Sequence, residues 1–308
     1  MHQEHQDLPT TLQKVGKHLP QNVTGWLFSG PAVLILLLMM AFPIVYTVYL
    51  SFTNWTPSVL GAHQYVGWQN YIKLIFEDER FQNSVGRTLI FTIGGVAIQT
   101  ILGVGLAMVF NRDFAGRGFF RTIFMMSMVA TPVAIALVWM MVMDINTGVL
   151  NYVIELINGS RIAWLSDRSI VLYSLIIIDT WQWTPFIMLI VLAGLSALPT
   201  EPYEAAQIDG ASGLQMFWYL TLPMLRPTLM VALMFRSIDA LKTFDIIYVI
   251  TGGGPAFATE TLNLYIYSQG FQYFNMGYAS AALVLFFILV FGTSLLFIRL
   301  RRATSEMM

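Results

Sequence analysis

The sequence predicts an all-α polytopic membrane protein, a helical bundle with six transmembrane helices. Of its 308 residues, 56% are hydrophobic and only 11% are charged, about half the charged share of a soluble domain. The hydrophobic residues are also gathered into six runs of about 18 residues or more, the length that an α-helix needs to cross a bilayer. A transmembrane barrel is not indicated, because its short strands alternate in polarity and residues 33–40 are apolar throughout.

Composition excludes several classes of function. The 16 Lys and Arg residues nearly balance the 17 Asp and Glu residues, for a net charge of -1, so no basic field exists for nucleic acid. With no cysteine, disulfides and cysteine-ligated metals are impossible. The histidines lie outside the apolar runs and form no HExxH motif, so a metalloenzyme is poorly supported; they are His2, His5, His18 and His63.

Each apolar run is taken in turn as a membrane span. The predicted spans are 26–52, 84–110, 119–143, 170–195, 222–250 and 276–300. The first follows a polar N-terminal segment, 1–25, and is about twice as long as the core of a signal peptide, so we expect it to be retained. Pro43 and Pro132 are expected to interrupt and kink the first and third spans. The transmembrane domain is therefore predicted to be 26–308.

The distribution of basic residues predicts the orientation. An even number of spans places both termini on one side, together with the loops that follow the second and fourth spans. That side carries most of the basic residues, namely Lys14, Lys17, Arg112, Arg117, Arg121, Arg226, Arg299, Arg301 and Arg302. Because cytoplasmic loops are enriched in Lys and Arg, we expect cytoplasmic termini.

The three outer loops contain short structural signals. Residues 71–80 and 149–157 have the patterns of short helices. The third loop opens with Thr251-Gly252-Gly253-Gly254-Pro255. A glycine-rich run can cradle phosphate, but here no Lys-Ser/Thr follows it. The pattern favours a tight turn at a helix end.

The largest inner loop, 196–223, predicts two short helices. Thr200 is placed to cap the first, Gly210 to end it, and Ser212 to cap a second helix through Tyr219. The second helix is too apolar for a surface that faces only water, and it either packs beneath the bundle or docks a soluble partner. Its apolar residues are Leu214, Met216, Phe217 and Trp218.

The same loop carries a family resemblance. It contains Glu204-Ala205-Ala206, then Gly210, then Leu220-Thr221-Leu222-Pro223. This pattern resembles the EAA loop of binding-protein-dependent ABC importer permeases. The resemblance extends to 31–46, 67–71, 181–195 and 244–255, and it is to sugar-type permeases similar to the larger maltose or glycerol-phosphate transporter permease. It implies the MetI-like fold of type I ABC importers.

This resemblance implies a partner for each step of import. A second permease would complete the pathway, a cytoplasmic ATPase dimer would grip the EAA loop, and an extracytoplasmic solute-binding protein would deliver a sugar-like substrate. The location would be the inner or plasma membrane of a bacterium or archaeon. ATP and Mg would sit on the ATPase, with no cofactor on this chain, which lacks GxxxxGK[ST]. The implied coupling residues are Glu204, Ala205, Ala206, Gly210, Met216, Phe217 and Pro223.

Charged residues within the fifth span suggest a second site. Arg236, Asp239, Lys242 and Asp245 recur every third residue, and in a continuous helix Thr243 would share a face with Arg236. They form either an intrahelical ion-pair ladder or part of a translocation route. Both alternatives keep these side chains away from lipid.

Polar and aromatic residues in the fourth span complete the predicted pathway. Asp179, Gln182 and Trp183 precede Pro185, whose missing N–H leaves a backbone carbonyl free at mid-membrane. Aromatic faces beside carboxylate and amide groups suit a sugar. The predicted pathway residues are Asp179, Gln182, Trp183, Arg236, Asp239, Lys242 and Thr243. We expect a non-catalytic transport subunit; the alternative is a secondary transporter driven by an ion gradient.

Overall fold

The computed structural model describes residues 21–57, 64–157 and 159–305. These residues are overwhelmingly helical, and within them the only β-type pairing is an isolated antiparallel bridge between Thr53 and Tyr65. Most of the predicted N-terminal segment 1–25 lies outside the described residues, as do His2, His5, His18 and His63.

The chain divides into two compact units, Met1–Tyr49 and Leu50–Met308. The first helix begins at Gln21, five residues before the predicted start, and ends at Ser51; its residues 21–49 are the described part of the first unit, and its last two residues belong to the second. The helix runs unbroken through Pro31 and Pro43, so the interruption expected at Pro43 is wrong. A membrane helix tolerates proline where nearby groups satisfy the freed backbone carbonyl.

The described residues contain the six predicted spans. Five helices are long and apolar enough to cross a membrane, and one sharply bent pair makes a sixth if it counts as a single span. In chain order the spans are Gln21–Ser51, Glu79–Asn111, Arg117–Val129 with Pro132–Val142, Val171–Ser196, Gly213–Leu241 and Met276–Ser305. We call these the first to the sixth span, and the side of the molecule opposite residues 196–223 the outer side.

The third span is the bent pair. Its two helices meet at an angle of 102° because Thr131 is in the extended region, the conformation preferred by a residue that precedes proline. Pro132 then begins the second helix, where its missing N–H costs nothing. The kink predicted at Pro132 is confirmed and is a full break in the helix.

The fifth span differs from the prediction at both ends. It ends at Leu241 rather than 250, and a separate helix, Asp245–Thr251, follows. The break is held by Asn263, whose side-chain amide donates to the carbonyl of Lys242 at 2.8 Å. Thr243 therefore lies in a break and not on the helical face of Arg236.

At its inner end the fifth span absorbs the second helix predicted for the inner loop. One continuous helix runs through three segments: Gly213–Met216, a wide π-helical turn at Phe217–Thr221, and Leu222–Leu241. Ser212 caps it as predicted, with a reciprocal bond from Gln215. A separate second helix ending at Tyr219 is therefore wrong, because the π turn lets the helix continue into the membrane.

The remaining segments are short. The helix predicted in the first outer loop is confirmed as Gln69–Ile72 and Lys73–Glu77, although it ends before Asp78. The second span begins at Glu79 rather than at 84. Val149–Leu156 confirms the helix of the second outer loop. Gly252, with φ +55°, ends Asp245–Thr251, which confirms a tight turn there. Two outer helices, Leu262–Tyr267 and Ser268–Gln272, were not predicted.

Spans two and four form the centre of the second unit. They approach closely at Gly103, where an added Cβ would lie 2.7 Å from Cγ2 of Ile187. Apolar clusters pack on both sides of the centre, one around Phe91, Leu175 and Ile246 and the other around Ile187 and Leu225. Polar residues of these spans lie between the two clusters.

Candidate functional site

Four polar side chains from three spans meet between the apolar clusters, and we call them the charge cluster: Gln99, Asp179, Arg236 and Asp239. The side chain of Arg236 is 0% exposed and that of Asp179 is 1% exposed. The guanidinium of Arg236 donates to the carboxylate of Asp179 through one terminal nitrogen. Its other terminal nitrogen donates to Asp239 at 3.0 Å. Arg236 thus joins a buried carboxylate to one whose side chain is 51% exposed.

Gln99 of the second span completes the charge cluster and was missed in the sequence. Its carbonyl oxygen accepts from Nε of Arg236 at 2.7 Å, and its amide donates to Asp179 at 2.8 Å. Gly95, one turn away, makes room, because a Cβ there would lie 3.4 Å from the Asp179 carboxylate. The signal for Gln99 was a lone amide in an apolar run, which is costly in a membrane unless it is paired.

The carboxylate of Asp179 has an unused acceptor. Its second oxygen, Oδ1, is buried and has no hydrogen-bond partner among the described residues. The neighbouring hydroxyl of Thr180 is likewise buried and without a partner in that part of the chain. Since buried polar atoms are nearly always paired, the free oxygen of Asp179, which lines a cavity, is an acceptor that remains available at this site.

Two cavities adjoin the charge cluster and share Trp183, Asp239 and Lys242. The larger, about 280 Å³, is lined also by Phe186, Phe235, Arg236 and Ile238. The smaller, about 150 Å³, is lined by Pro132, Asp179, Gln182, Trp183, Asp239, Lys242, Thr243, Phe244, Asp245 and Ile246. All seven predicted pathway residues therefore line one or both cavities.

The predicted ion-pair ladder forms only in part. Arg236 pairs with Asp239 three residues on, but Lys242 is exposed at the end of the helix and makes no ion pair within the described residues. The buried partner of Arg236 is on another span, which a ladder within one helix did not predict. Trp183 packs against the guanidinium, its ring centroid 5.1 Å from Cζ.

The inner loop presents a first helix that is well exposed. We call Glu201–Ile208 the coupling helix. Glu204 and Ala205 are exposed on it, and Ala206 lines a cavity of about 370 Å³ with Gly210 and Met216. Gly210 ends the turn after this helix with φ +78°. Pro223 is half-buried near the π turn.

Tyr203 ties the coupling helix to the fifth span, and sequence reasoning missed it. Its hydroxyl donates to Oγ1 of Thr221 at 3.0 Å. Thr221 is buried and in turn donates to the carbonyl of Met216. These two hydrogen bonds connect the coupling helix to the π turn at the inner end of the fifth span.

The apolar residues at this end divide into two groups. Phe217 packs inward against the cluster around Ile187 and Leu225. Leu214, Trp218 and Tyr219 remain exposed. The inward packing of Phe217 confirms packing beneath the bundle for that residue, and docking of a soluble partner by the exposed residues stays a prediction.

The outer ends of the spans are joined by a separate polar network. Arg80 donates two hydrogen bonds to the buried carboxylate of Glu260, at 2.7 and 2.6 Å. Asp78 caps the second span through the backbone N–H of Phe81 and accepts from the hydroxyls of Tyr265 and Tyr278 at 2.6 and 2.9 Å. Burial opposes ionisation of Asp78, but these hydrogen bonds together hold its pKa below the usual value of 3.8.

No group of His, Cys, Asp or Glu residues suited to a metal ion occurs in the part of the chain that the structure describes.

Residues 99–303 match the family described as binding-protein-dependent transport system inner membrane component. The chain belongs to this family. It is accordingly a transport permease of an ABC importer and a multi-pass inner-membrane component; the ATPase of such importers is a separate subunit, so this chain is not catalytic.

Individual relatives cover nearly the whole permease. The trehalose/maltose transport system permease protein of Thermococcus litoralis is 34% identical over 281 residues, covering 90% of this chain and 93% of that protein. The trehalose transport system permease protein of Mycobacterium tuberculosis is 30% identical over 302 residues, covering 98% and 96%. A bacterial alginate ABC transporter, solved with a pentasaccharide-bound periplasmic protein, has a chain of the same fold, with a TM-score of 0.80, 22% identity, and coverage of 92% and 96%.

Proposed function

We propose that this permease forms half of the translocation pathway of an ATP-driven importer for a sugar or sugar-like solute, with the charge cluster as part of that pathway. The observation that carries the proposal is the placement of Arg236. Its guanidinium is fully buried yet joins Asp179, which keeps an unused acceptor, to the half-exposed Asp239. Charges held at membrane depth beside cavities are typical of substrate routes.

A polyhydroxylated solute matches the chemistry of this site. Sugar hydroxyls donate to carboxylates and accept from amides and cations, and Asp179, Gln182 and Lys242 offer these groups around the smaller cavity. Trp183 adds an aromatic surface, which suits the apolar C–H face of a sugar ring. The names of the two relatives, which refer to trehalose and maltose, agree with this class of substrate.

The inner loop is proposed to couple the permease to a cytoplasmic ATPase dimer. The exposed residues Glu204, Leu214 and Tyr219 would form the contact, with Gly210 setting the direction of the chain between them. Motion of the ATPase would reach the fifth span through Tyr203 and Thr221. A second permease would complete the pathway, an extracytoplasmic binding protein would deliver the solute, and both termini would be cytoplasmic. ATP and Mg would bind on the ATPase.

The test is reconstitution of the permease with its partner permease, ATPase and binding protein in proteoliposomes. We expect uptake of sugar that requires ATP and loaded binding protein. Leu214→Asp should lose ATPase stimulation and co-purification of the ATPase while membrane insertion is kept, because Leu214 is exposed and lies outside the apolar core. Uptake by the lone chain with a coupled ion flux would instead establish a secondary transporter.

A matched variant separates docking from folding. Phe217 packs inward, so Phe217→Leu should preserve the docking surface and most of the packing. Phe217→Leu should therefore keep the stimulation of the ATPase by loaded binding protein. If Leu214→Asp keeps full stimulation as well, the inner loop does not couple to the ATPase.

A further inference from the structure

Four aromatic rings form a continuous track from the smaller cavity to the outer surface. Phe244 and Tyr248 stack with ring centroids 5.2 Å apart, and Tyr267 and Phe271 stack at 5.4 Å. The rings of each pair are four residues apart in the chain, a spacing that brings helical side chains together. Phe244 immediately precedes the helix Asp245–Thr251, and Tyr267 and Phe271 lie on the adjoining helices Leu262–Tyr267 and Ser268–Gln272. The pairs meet through Tyr267, whose ring lies 5.1 Å from Phe244 and 5.3 Å from Tyr248.

The inner end of this track opens on the charge cluster. Phe244 lines the smaller cavity together with Asp179 and Trp183. At the outer end Phe271 is 63% exposed, and Tyr248 between them is 40% exposed. The amide of Asn263, on the helix that carries Tyr267, donates to the carbonyl of Lys242 in the break before Phe244 and so connects the two pairs of rings. A route along these rings therefore leads from the outer surface to the proposed pathway.

Polar residues follow two of the rings in the chain. Asp245 follows Phe244 and lines the same cavity, and Gln272 follows Phe271; both are exposed. Rings beside carboxylate and amide groups provide one surface for the C–H face of a sugar and partners for its hydroxyls. Another stacked pair, Phe287 and Phe291 on the sixth span, has apolar neighbours instead, as expected of a face that meets lipid.

We propose that the track Phe244–Tyr248–Tyr267–Phe271 is a binding subsite for the pyranose rings of the solute, which it guides from the outer side to the charge cluster. This inference rests on the proposed function and extends it. The substrate class is a carbohydrate with at least one pyranose ring. An oligosaccharide would contact several rings at once, so the track favours substrates of two or more units.

The test compares three double variants in the reconstituted importer, with radiolabelled maltose and trehalose as probes. Tyr248→Leu with Phe271→Leu removes two ring faces and keeps apolar volume. Tyr248→Phe with Phe271→Tyr keeps both rings. Phe287→Leu with Phe291→Leu is the matched control, because it removes an exposed stacked pair away from the track.

We expect the first variant to lower sugar uptake about tenfold, since each lost aromatic contact is worth about two- to tenfold. ATPase stimulation by loaded binding protein should stay within about twofold of the unaltered importer, because the coupling loop is untouched. The ring-preserving variant should transport several times faster than the leucine variant, because both ring faces are kept. The control on the sixth span should transport at nearly the unaltered rate.

Three outcomes overturn the inference. In the first, the leucine variant keeps normal uptake while a charge-cluster variant loses it. The proposed function is then retained, and the track is not part of the route. Failure of the subunits to co-purify places the rings in a subunit interface. Absence of ATP-dependent uptake of any carbohydrate by the unaltered importer contradicts the proposed function itself, and the track with it.

Discussion

Arg236 of the fifth span and Asp179 of the fourth form an ion pair from which solvent is excluded. The remaining donors of the guanidinium go to Gln99 and Asp239, so all three of its nitrogens are satisfied. Removing one member of such a pair leaves an uncompensated charge in the bundle, which costs about 3–5 kcal/mol. Loss of one member would therefore affect folding as well as the proposed transport, and an experiment has to separate these two effects.

Asp179→Ala should sharply reduce the amount of folded permease, because Arg236 loses its buried partner. The double change Asp179→Leu with Arg236→Met removes both buried charges and should recover most of that stability. We expect this double variant to assemble with its partners and to transport at less than about a hundredth of the normal rate. Thermal unfolding in detergent and uptake in proteoliposomes are the measurements. Normal uptake by the double variant would show that the pair is not part of the route.

Gln99→Leu should destabilise the permease by about 1–3 kcal/mol, because Nε of Arg236 and one bond to Asp179 lose their partner. The adjacent change Thr100→Val is the control, since the hydroxyl of Thr100 bonds only the carbonyl of Val96 within its own helix. The midpoint of thermal unfolding in detergent is the readout. Equal midpoints for the two variants would contradict the role given to Gln99.

Gly210→Val should weaken ATPase stimulation, because the residue has φ +78° and a side chain in that region costs about 1–2 kcal/mol. An added Cβ at Gly210 would meet no atom within 4 Å, so the penalty comes from the backbone and not from crowding. Asparagine visits this region more readily, and Gly210→Asn should keep more stimulation than Gly210→Val. Equal stimulation of the two variants would argue against a conformational role for Gly210.

The outer network predicts how stability responds to acid. Because the pKa of Asp78 is held below 3.8 in the folded protein, its contribution is complete above that value and is lost as the pH falls through the lower, folded pKa. Asp78→Asn should therefore unfold at a lower temperature than the unaltered protein between pH 5 and about 8. The difference should shrink as the pH falls below 3.8. A difference that is constant down to the most acidic pH would contradict this account of Asp78.

The absence of native cysteine makes orientation directly testable. Gln207→Cys lies on the coupling helix, and Asn146→Cys lies in the second outer loop; both positions are exposed. In intact cells an impermeant thiol reagent should label the cysteine at 146 and not the one at 207. The reverse pattern would invert the proposed topology.

The third and fifth spans show which helix breaks can be predicted from the local sequence. Pro132 predicted a kink because proline acts on the residue before it, which is a local effect. The end of the fifth span at Leu241 had no such signal. Its apolar run continues to 250, and the break depends on Asn263, a residue 21 positions away that bonds the carbonyl of Lys242.

The sequence by itself determined the class of the protein, its six spans and the loop that resembles a coupling loop. These features depend on residues that are near one another in the chain: an apolar run partitions into a membrane as a unit, and Gly and Pro act on the local backbone. It also selected the charged residues of the site, since charge at membrane depth is rare. Only the tertiary structure decided that Arg236 pairs with Asp179 across two spans and that Gln99 joins them. Those contacts lie 57 and 137 residues apart in the chain, and they depend on how helices pack, which the periodicity of a single helix does not encode.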